Sequence, residues 1–433
     1  MKTILQSLSK LGHRFWFLWL GESITSLGGQ LVQFAFGVWI YQRTGSVLSF
    51  SGSIAAGIVP ALLVMPFAGA LVDRGNRRTI IIVCDCLGAL MSIVFVGVVL
   101  TDRLEIYHLY IFAAISSTVS AFHEPAYQAS VNTILSQENL ARASGAMSIG
   151  HTTLGIVAPT LAGVLMAAMG LPGLVSLDLV ALLFGTLLVW TAFGKRPPVA
   201  LAAIEEPVRP PRPSPLRNML QSMSFFTDDR KMLTLLVYSL IQSAMLALAS
   251  TMVIPLILSL HSSPQLGIAL TFGALGGLVG SVVMVVLDSP RRRMAVILLC
   301  DVVLTSCIIL AGLSSSIVAF CILEFIACAA ASIGASCAYA LWMSKVPVAR
   351  QGSVLVILSN AAMLATAVSV VSGGILISLL DPALAAGGSL ASLAREWIGS
   401  GKASGLALMF VLSGSLGLLA SLGGLAYRPL REL

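Results

Sequence analysis

Six acids lie inside long apolar stretches of the chain: Glu22, Asp85, Glu124, Asp178, Asp301 and Glu324, with His123 as the one other titratable group at similar depth. A charged carboxylate at the centre of a bilayer costs about 2.5–3.5 kcal/mol on insertion scales, so such residues face a wet cavity or a partner. Taking a carboxylate out of water disfavours its charged form, which suits proton carriage. The chemistry on offer is therefore capture of protons or cations. Bond-making is a poor fit, because the sequence shows no nucleophile–base pair, phosphate loop or metal cluster, and an enzyme is the least expected class. The seven cysteines (84, 86, 300, 307, 321, 328 and 337) sit in apolar runs and form no C-x-x-C pair. They read as small buried hydrophobes, with no metal, cofactor or disulfide framework expected.

The elements that hold these acids are membrane helices. The 433-residue chain is 57% hydrophobic and 10% charged, with a mean hydropathy of +0.97. A soluble domain carries roughly 25% charged residues. A bilayer core of about 30 Å calls for spans of about 20 apolar residues. The runs are apolar on all sides, unlike the alternating strands of a barrel. Twelve spans fit, at about 15–41, 46–72, 79–100, 106–134, 142–169, 173–193, 232–260, 265–287, 294–314, 316–344, 351–380 and 403–427. The expected fold class is an all-α polytopic membrane protein.

Placing the N-terminus inside puts 21 of the 25 Lys and Arg residues on the inner side, leaving Arg43, Arg103, Arg395 and Lys402 outside. Lys and Arg accumulate in cytoplasmic loops, so both termini are expected in the cytoplasm. The protein is then a multi-pass protein of the inner (plasma) membrane. The net charge of +7 is topological and carries no nucleic-acid signal. Residues 1–194 form a first six-helix bundle and residues 232–433 a second. Between them, residues 195–231 form a cytoplasmic linker, Pro-rich at first and then patterned as a short amphipathic helix. The stretch 381–402 reads as an outer loop with a partial helix.

A cluster of charge separates spans 2 and 3 in the stretch GALVDRGNRRTIIIVCD, from Gly69 to Asp85. A second version, DSPRRRMAVILLCD, runs from Asp288 to Asp301, and Asp73 and Asp288 are 215 residues apart. Each turn is followed by an acid, Asp85 or Asp301, read as a structural partner of the basic turns; Asp178 near the outer end of span 6 is also read as structural. The same offset places Gly374 on Pro159 and Tyr339 on Glu124. Parallel six-helix repeats with a long cytoplasmic connection belong to secondary transporters.

The pattern Gly69-x-x-x-Asp73-Arg74-x-Asn76-Arg77-Arg78 resembles the signature loop of the major facilitator superfamily. GIVAPTLAG, Gly155 to Gly163, resembles the span-5 signature of its drug–proton antiporters, with Ala158 and Ala162 where glycines are usual. FWFLWLGESITSLG, YQRTGS, AFHEPAYQAS, LARASGAM and LDLVALLF look like the branch of macrolide-efflux-type and siderophore exporters. Glu22 and Glu124 depart from that branch, where uncharged polar residues are often found. The resemblance implies two six-helix bundles and alternating access. It implies that Gly69, Asp73, Arg74, Arg77 and Arg78 latch the cytoplasmic ends; a plain topology-setting turn is the alternative. It also implies that Gly155, Pro159 and Gly163 form a hinge, where ordinary small-residue packing is the alternative.

In that fold, spans 1, 4, 7 and 10 line the cavity. Glu22 and Glu124 then face one compartment, with Glu324 as a third cavity candidate and His123 as a relay. Aromatic and Met residues, among them Phe34, Phe36, Trp39, Tyr127, Tyr238, Met245, Tyr339 and Trp342, build a soft pocket or else pack the bundle. The expected function is proton-coupled export of lipophilic cationic or neutral amphipathic compounds, by a monomer whose partners are protons, a small molecule and lipid. The alternatives are an exporter of a siderophore, peptide product or lipid, and a non-transporting scaffold.

Overall fold

The computed structural model describes residues 11–101, 103–135, 137–193, 226, 229–286, 292–346, 351–385 and 404–431. Every regular element among them is helical. The first four helices are α1 (Gly12–Thr44), α2 (Val47–Arg74), α3 (Arg77–Leu100) and α4 (Ile106–Ile134). A helical run over Gln137–Phe193 breaks at Gly170, whose φ of 63° and ψ of −170° only glycine adopts readily. Pro172 follows, suited to the first turn of a new helix. The arms before and after the break are α5 and α6. Then come α7 (Arg230–Leu260), α8 (Ser263–Val286), α9 (Arg293–Gly312), α10 (Ile317–Lys345), α11 (Gln351–Ala385) and α12 (Ser404–Ala426), with a last turn α13 (Arg428–Arg431).

Among the described residues, nine helices are long and apolar enough to cross a membrane, with α5 and α6 counted there as one. The two long helices that fall short are α1 and α4. Both are interrupted by polar side chains, Glu22, Ser23 and Ser26 in α1 and Ser117, Thr118, His123 and Glu124 in α4. The helices too polar to pass are the ones that carry the candidate site. Elsewhere the outward faces are apolar, as lipid requires: Leu63, Phe67, Val180 and Leu183 are all more than half exposed.

The chain divides into two compact units, Met1–Phe36 with Ala56–Arg212, and Gly37–Ala55 with Pro213–Leu433. The turn joining α1 and α2 thus groups with the second unit rather than with residues 1–194. Contacts within that unit show why. A Cβ on Gly374 of α11 would lie 2.8 Å from the Ser51 side chain, and Gln42 Nε2 donates to Ser263 Oγ at 3.2 Å. Most of the expected linker over 195–231, and most of the outer loop over 381–402, lies outside the described residues.

The first unit packs around Phe15, Leu18, Ile81, Ala126, Tyr127 and Val189, and the second around Met294, Leu298, Leu341, Trp342 and Leu430. Both use the basic turn in one way. Asn76 caps α3, its side chain accepting from the N–H groups of Arg78 and Thr79. Arg77 then donates from Nη1 to the Ala129 carbonyl near the end of α4 at 3.1 Å, and Arg293 donates to the Ala340 carbonyl near the end of α10 at 3.0 Å. Each arginine supplies a charge-assisted bond to a carbonyl in a helix's final turns.

These paired anchors fix the internal register. Arg77 and Arg293 are 216 residues apart, and so are Asp85 and Asp301, whereas Ala129 and Ala340 are 211 apart. The five-residue change has a local cause. α3 has 24 residues and α9 has 20, and the connection that follows is five residues long in the first unit and four in the second.

Candidate proton and substrate site

The site belongs to the first unit and is built on α1. A Cβ on Gly21 would lie 2.8 Å from the carbonyl oxygen of Gly185 in α6, and one on Gly185 would collide with Thr25 Oγ1. α1 and α6 therefore meet backbone to backbone. Gly28 continues the contact, with room for a hydrogen but not a methyl beside Asp178. This fixes the face of α1 that carries Gly21, Thr25 and Gly28, and turns Glu22, Ser23 and Ser26 toward α4 and α5. Gly150 of α5 completes the seat, since a Cβ there would lie 2.9 Å from the Trp19 ring.

His123 stands between two acids. Its Nε2 lies 3.1 Å from Asp85 Oδ1, and its Nδ1 faces Glu22 Oε2 at 3.8 Å. The His123 and Glu22 side chains are 13% and 17% exposed and that of Asp85 is 6% exposed, so Asp85 is the more deeply buried end of the array. Ser26 Oγ donates to Glu22 Oε1 at 3.3 Å. In a neutral imidazole one nitrogen donates and the other accepts. With Nε2–H directed at Asp85, the Nδ1 lone pair points to Glu22. A single proton can then sit on the carboxyl or on the imidazole; at 3.8 Å, beyond direct hydrogen-bond reach, its passage between them needs a closer approach of the two side chains. Asp85, expected to partner a basic turn, is placed instead against His123.

Glu124 points elsewhere, as neighbours on a helix must. Its Oε1 accepts from Gln128 Nε2 at 2.7 Å. Glu22, Ser23, Ser26 and Glu124 supply the polar wall of a partly open cleft. Trp19, Tyr127, Met147 and Leu154 supply the apolar wall. Tyr127 is 2% exposed, and its hydroxyl has no hydrogen-bond partner among the described residues. The cleft thus combines two acids with two aromatic rings and a thioether, a lining suited to an apolar body carrying positive charge.

The second unit holds a neutral counterpart. Asp301 accepts a short hydrogen bond from the Tyr238 hydroxyl. Gln242 Nε2 donates to Tyr238 Oη at 3.3 Å, to the Gly417 carbonyl at 3.0 Å and to Ser421 Oγ at 2.6 Å. At the internal offsets, Tyr238 stands for Glu22, Gln242 for Ser26 and Gly334 for His123. A Cβ on Gly334 would lie 4.0 Å from Asp301 Oδ1, so Gly334 does face the acid as His123 faces Asp85. The constant offset of 215 placed Tyr339 opposite Glu124, but the shorter α9 moves that register to Ala335. Tyr339 is 60% exposed and joins neither cluster.

The other candidates fall outside the triad. Glu324 lies in the second unit, against Gly273 of α8, and accepts a bond from Cys328 Sγ at 3.8 Å. Asp178 is buried and accepts from Ser92 Oγ at 2.9 Å, tying α6 to α3. Of Gly69, Asp73, Arg74 and Gly155 only the helical backbone is described. Pro159 lies within α5 and Gly163 is buried there, while the sharp break in that run falls at Gly170. Trp19, Ser26, Gln128 and Gly150 escaped the sequence reading. The i, i+4 pairs Glu22/Ser26 and Glu124/Gln128 were the available signal for two of them.

The family model of the Major Facilitator Superfamily matches residues 18–369. The chain belongs to that superfamily. It is 24% identical over 223 residues to macrolide efflux protein A of Streptococcus pyogenes, a match covering 52% of this chain and 53% of the relative, so the chain spans about half the length of those relatives. It is 26% identical over 321 residues to the multidrug efflux pump Tap of Mycobacterium tuberculosis, covering 70% of this chain and 71% of Tap. Among solved structures, a mutant of the nucleoside transporter NupG superposes with a TM-score of 0.70 at 10% identity, covering 95% of this chain and 99% of the other. A bacterial homolog of the lysosomal transporter Spinster, in an occupied conformation, gives a TM-score of 0.68 at 15% identity, covering 94% of each. These likenesses bear out the twelve-helix fold of the superfamily.

Proposed function

We propose that this protein is a secondary active transporter that exports lipophilic cationic or neutral amphipathic compounds in exchange for protons. The observation that carries the reading is the Glu22–His123–Asp85 array at the wall of an aromatic, acidic cleft. An array that can hold one proton in two places, beside a cleft of this lining, suits exchange of a proton for a bound cation or amphipath. The efflux names of the macrolide and Tap relatives support export as the direction. Among the described residues of the cleft no Lys or Arg appears, which disfavours an anionic cargo. The protein works in this reading as a monomer in the plasma membrane, with both termini in the cytoplasm.

The test uses purified protein in liposomes with an acidic lumen, a trapped pH dye and a clamped membrane potential. Adding tetraphenylphosphonium outside is expected to drive protons out of the lumen, relative to protein-free liposomes. Equal signals with and without protein, for this cation and for erythromycin, would refute the reading.

A further inference from the structure

The cleft holds a polar group that neither the proton array nor a described hydrogen bond uses. The Tyr127 ring is packed into the core of the first unit beside Phe15 and Leu18, yet the residue also lines the cleft. Its hydroxyl is fully buried and has no hydrogen-bond partner among the described residues. Buried hydroxyls are almost always paired, and leaving one unpaired is costly. A phenylalanine would fill the same space without that cost. Glu124 stands three residues earlier on α4, which puts the two Cβ atoms about 5–6 Å apart on one helix face. A carboxylate and an unsatisfied phenol at this spacing make a two-point reader: one accepts from a positive N–H or faces a cation, and the other donates to an oxygen.

We propose that Tyr127 is a specificity-determining residue, donating its hydroxyl to an acceptor oxygen on the exported molecule while Glu124 holds that molecule's protonated amine. The favoured cargo is then an apolar molecule with an amine and, close to it, a hydroxyl, ether or carbonyl oxygen. Glu22 and His123 handle the proton, and Glu124 and Tyr127 read the cargo, so the neighbours His123 and Glu124 serve different tasks because they leave the helix in different directions. This inference rests on the exporter reading and narrows its cargo.

The test is equilibrium binding to the full-length purified protein with two probes. Erythromycin carries a tertiary amine among many oxygens; tetraphenylphosphonium carries charge and no acceptor. Tyr127→Phe is expected to weaken erythromycin binding by roughly five- to tenfold, the effect of one lost hydrogen bond, and to leave tetraphenylphosphonium binding within twofold. A thermal melt matching wild type shows that the substitution leaves the fold intact. Equal effects on both probes, no effect on either, or a wild-type protein that binds neither would overturn the assignment of Tyr127. Proton release driven by tetraphenylphosphonium, measured on the same Tyr127→Phe protein, separates the two ideas. If it persists while the probes show no discrimination, the exporter reading stands and the Tyr127 assignment falls; if wild type shows no such release with either compound, the exporter reading falls.

Discussion

Nε2 of His123 lies 3.1 Å from Oδ1 of Asp85, which leaves Nδ1 to face Glu22 across 3.8 Å. Asp85 then acts on the proton only through the ring. Asp85→Asn is expected to lower proton-driven transport roughly tenfold, the usual scale for losing a partner that orients a histidine. His123→Gln removes the second proton seat itself and is expected to cost on the order of 10²-fold. Downhill movement of tetraphenylphosphonium without a pH gradient should persist in both, and comparing the two rates checks the assignment.

The second unit offers an internal control. Asp301 is held by the neutral Tyr238 hydroxyl, with Gly334 where the first unit has His123. Asp301→Asn keeps an acceptor for Tyr238 and should leave proton coupling within about twofold, in contrast to the roughly tenfold loss at Asp85. Transport assays on the two asparagine variants side by side decide this. Equal losses at both acids would show that the halves share the proton work.

The seat of α1 on α6 predicts a stability effect. Gly185 lies against Thr25 Oγ1 with no room for a Cβ, so Gly185→Val must push the helices apart. The expected cost is about 1–3 kcal/mol, as for other overpacked contacts. A lowered melting temperature in detergent checks it, and Gly29→Ala is the matched control, because a Cβ there meets nothing within 4 Å.

Asp178 and Ser92 give a second stability prediction. Both are buried and bonded at 2.9 Å across α3 and α6. Asp178→Ala leaves the Ser92 hydroxyl without this partner, at an expected cost of about 1–3 kcal/mol. Asp178→Asn keeps an acceptor oxygen and should cost less. Melting curves of the two variants order them.

Much of this fold is legible in the sequence because lipid imposes a simple rule: about twenty apolar residues, then a turn. The two helices that break the rule, α1 and α4, break it at Glu22 and at His123 and Glu124, so the site announces itself as polarity in the wrong place. The pairing within the site is not legible. Which acid meets His123 depends on the rotation of three helices, and that of α1 is set by Gly21 against Gly185, a contact that shows in the sequence only as two glycines among 39. The repeat was legible through its basic turns, but a single offset could not survive an α9 four residues shorter than α3, and Tyr339 was misplaced for that reason.

The most direct measurement of the central claim is substrate-driven proton release from acid-loaded liposomes, comparing wild type with Glu22→Gln and His123→Gln, each first shown to bind tetraphenylphosphonium. Release is expected with wild type, and binding without release in both variants. Wild-type release from either variant would contradict the claim.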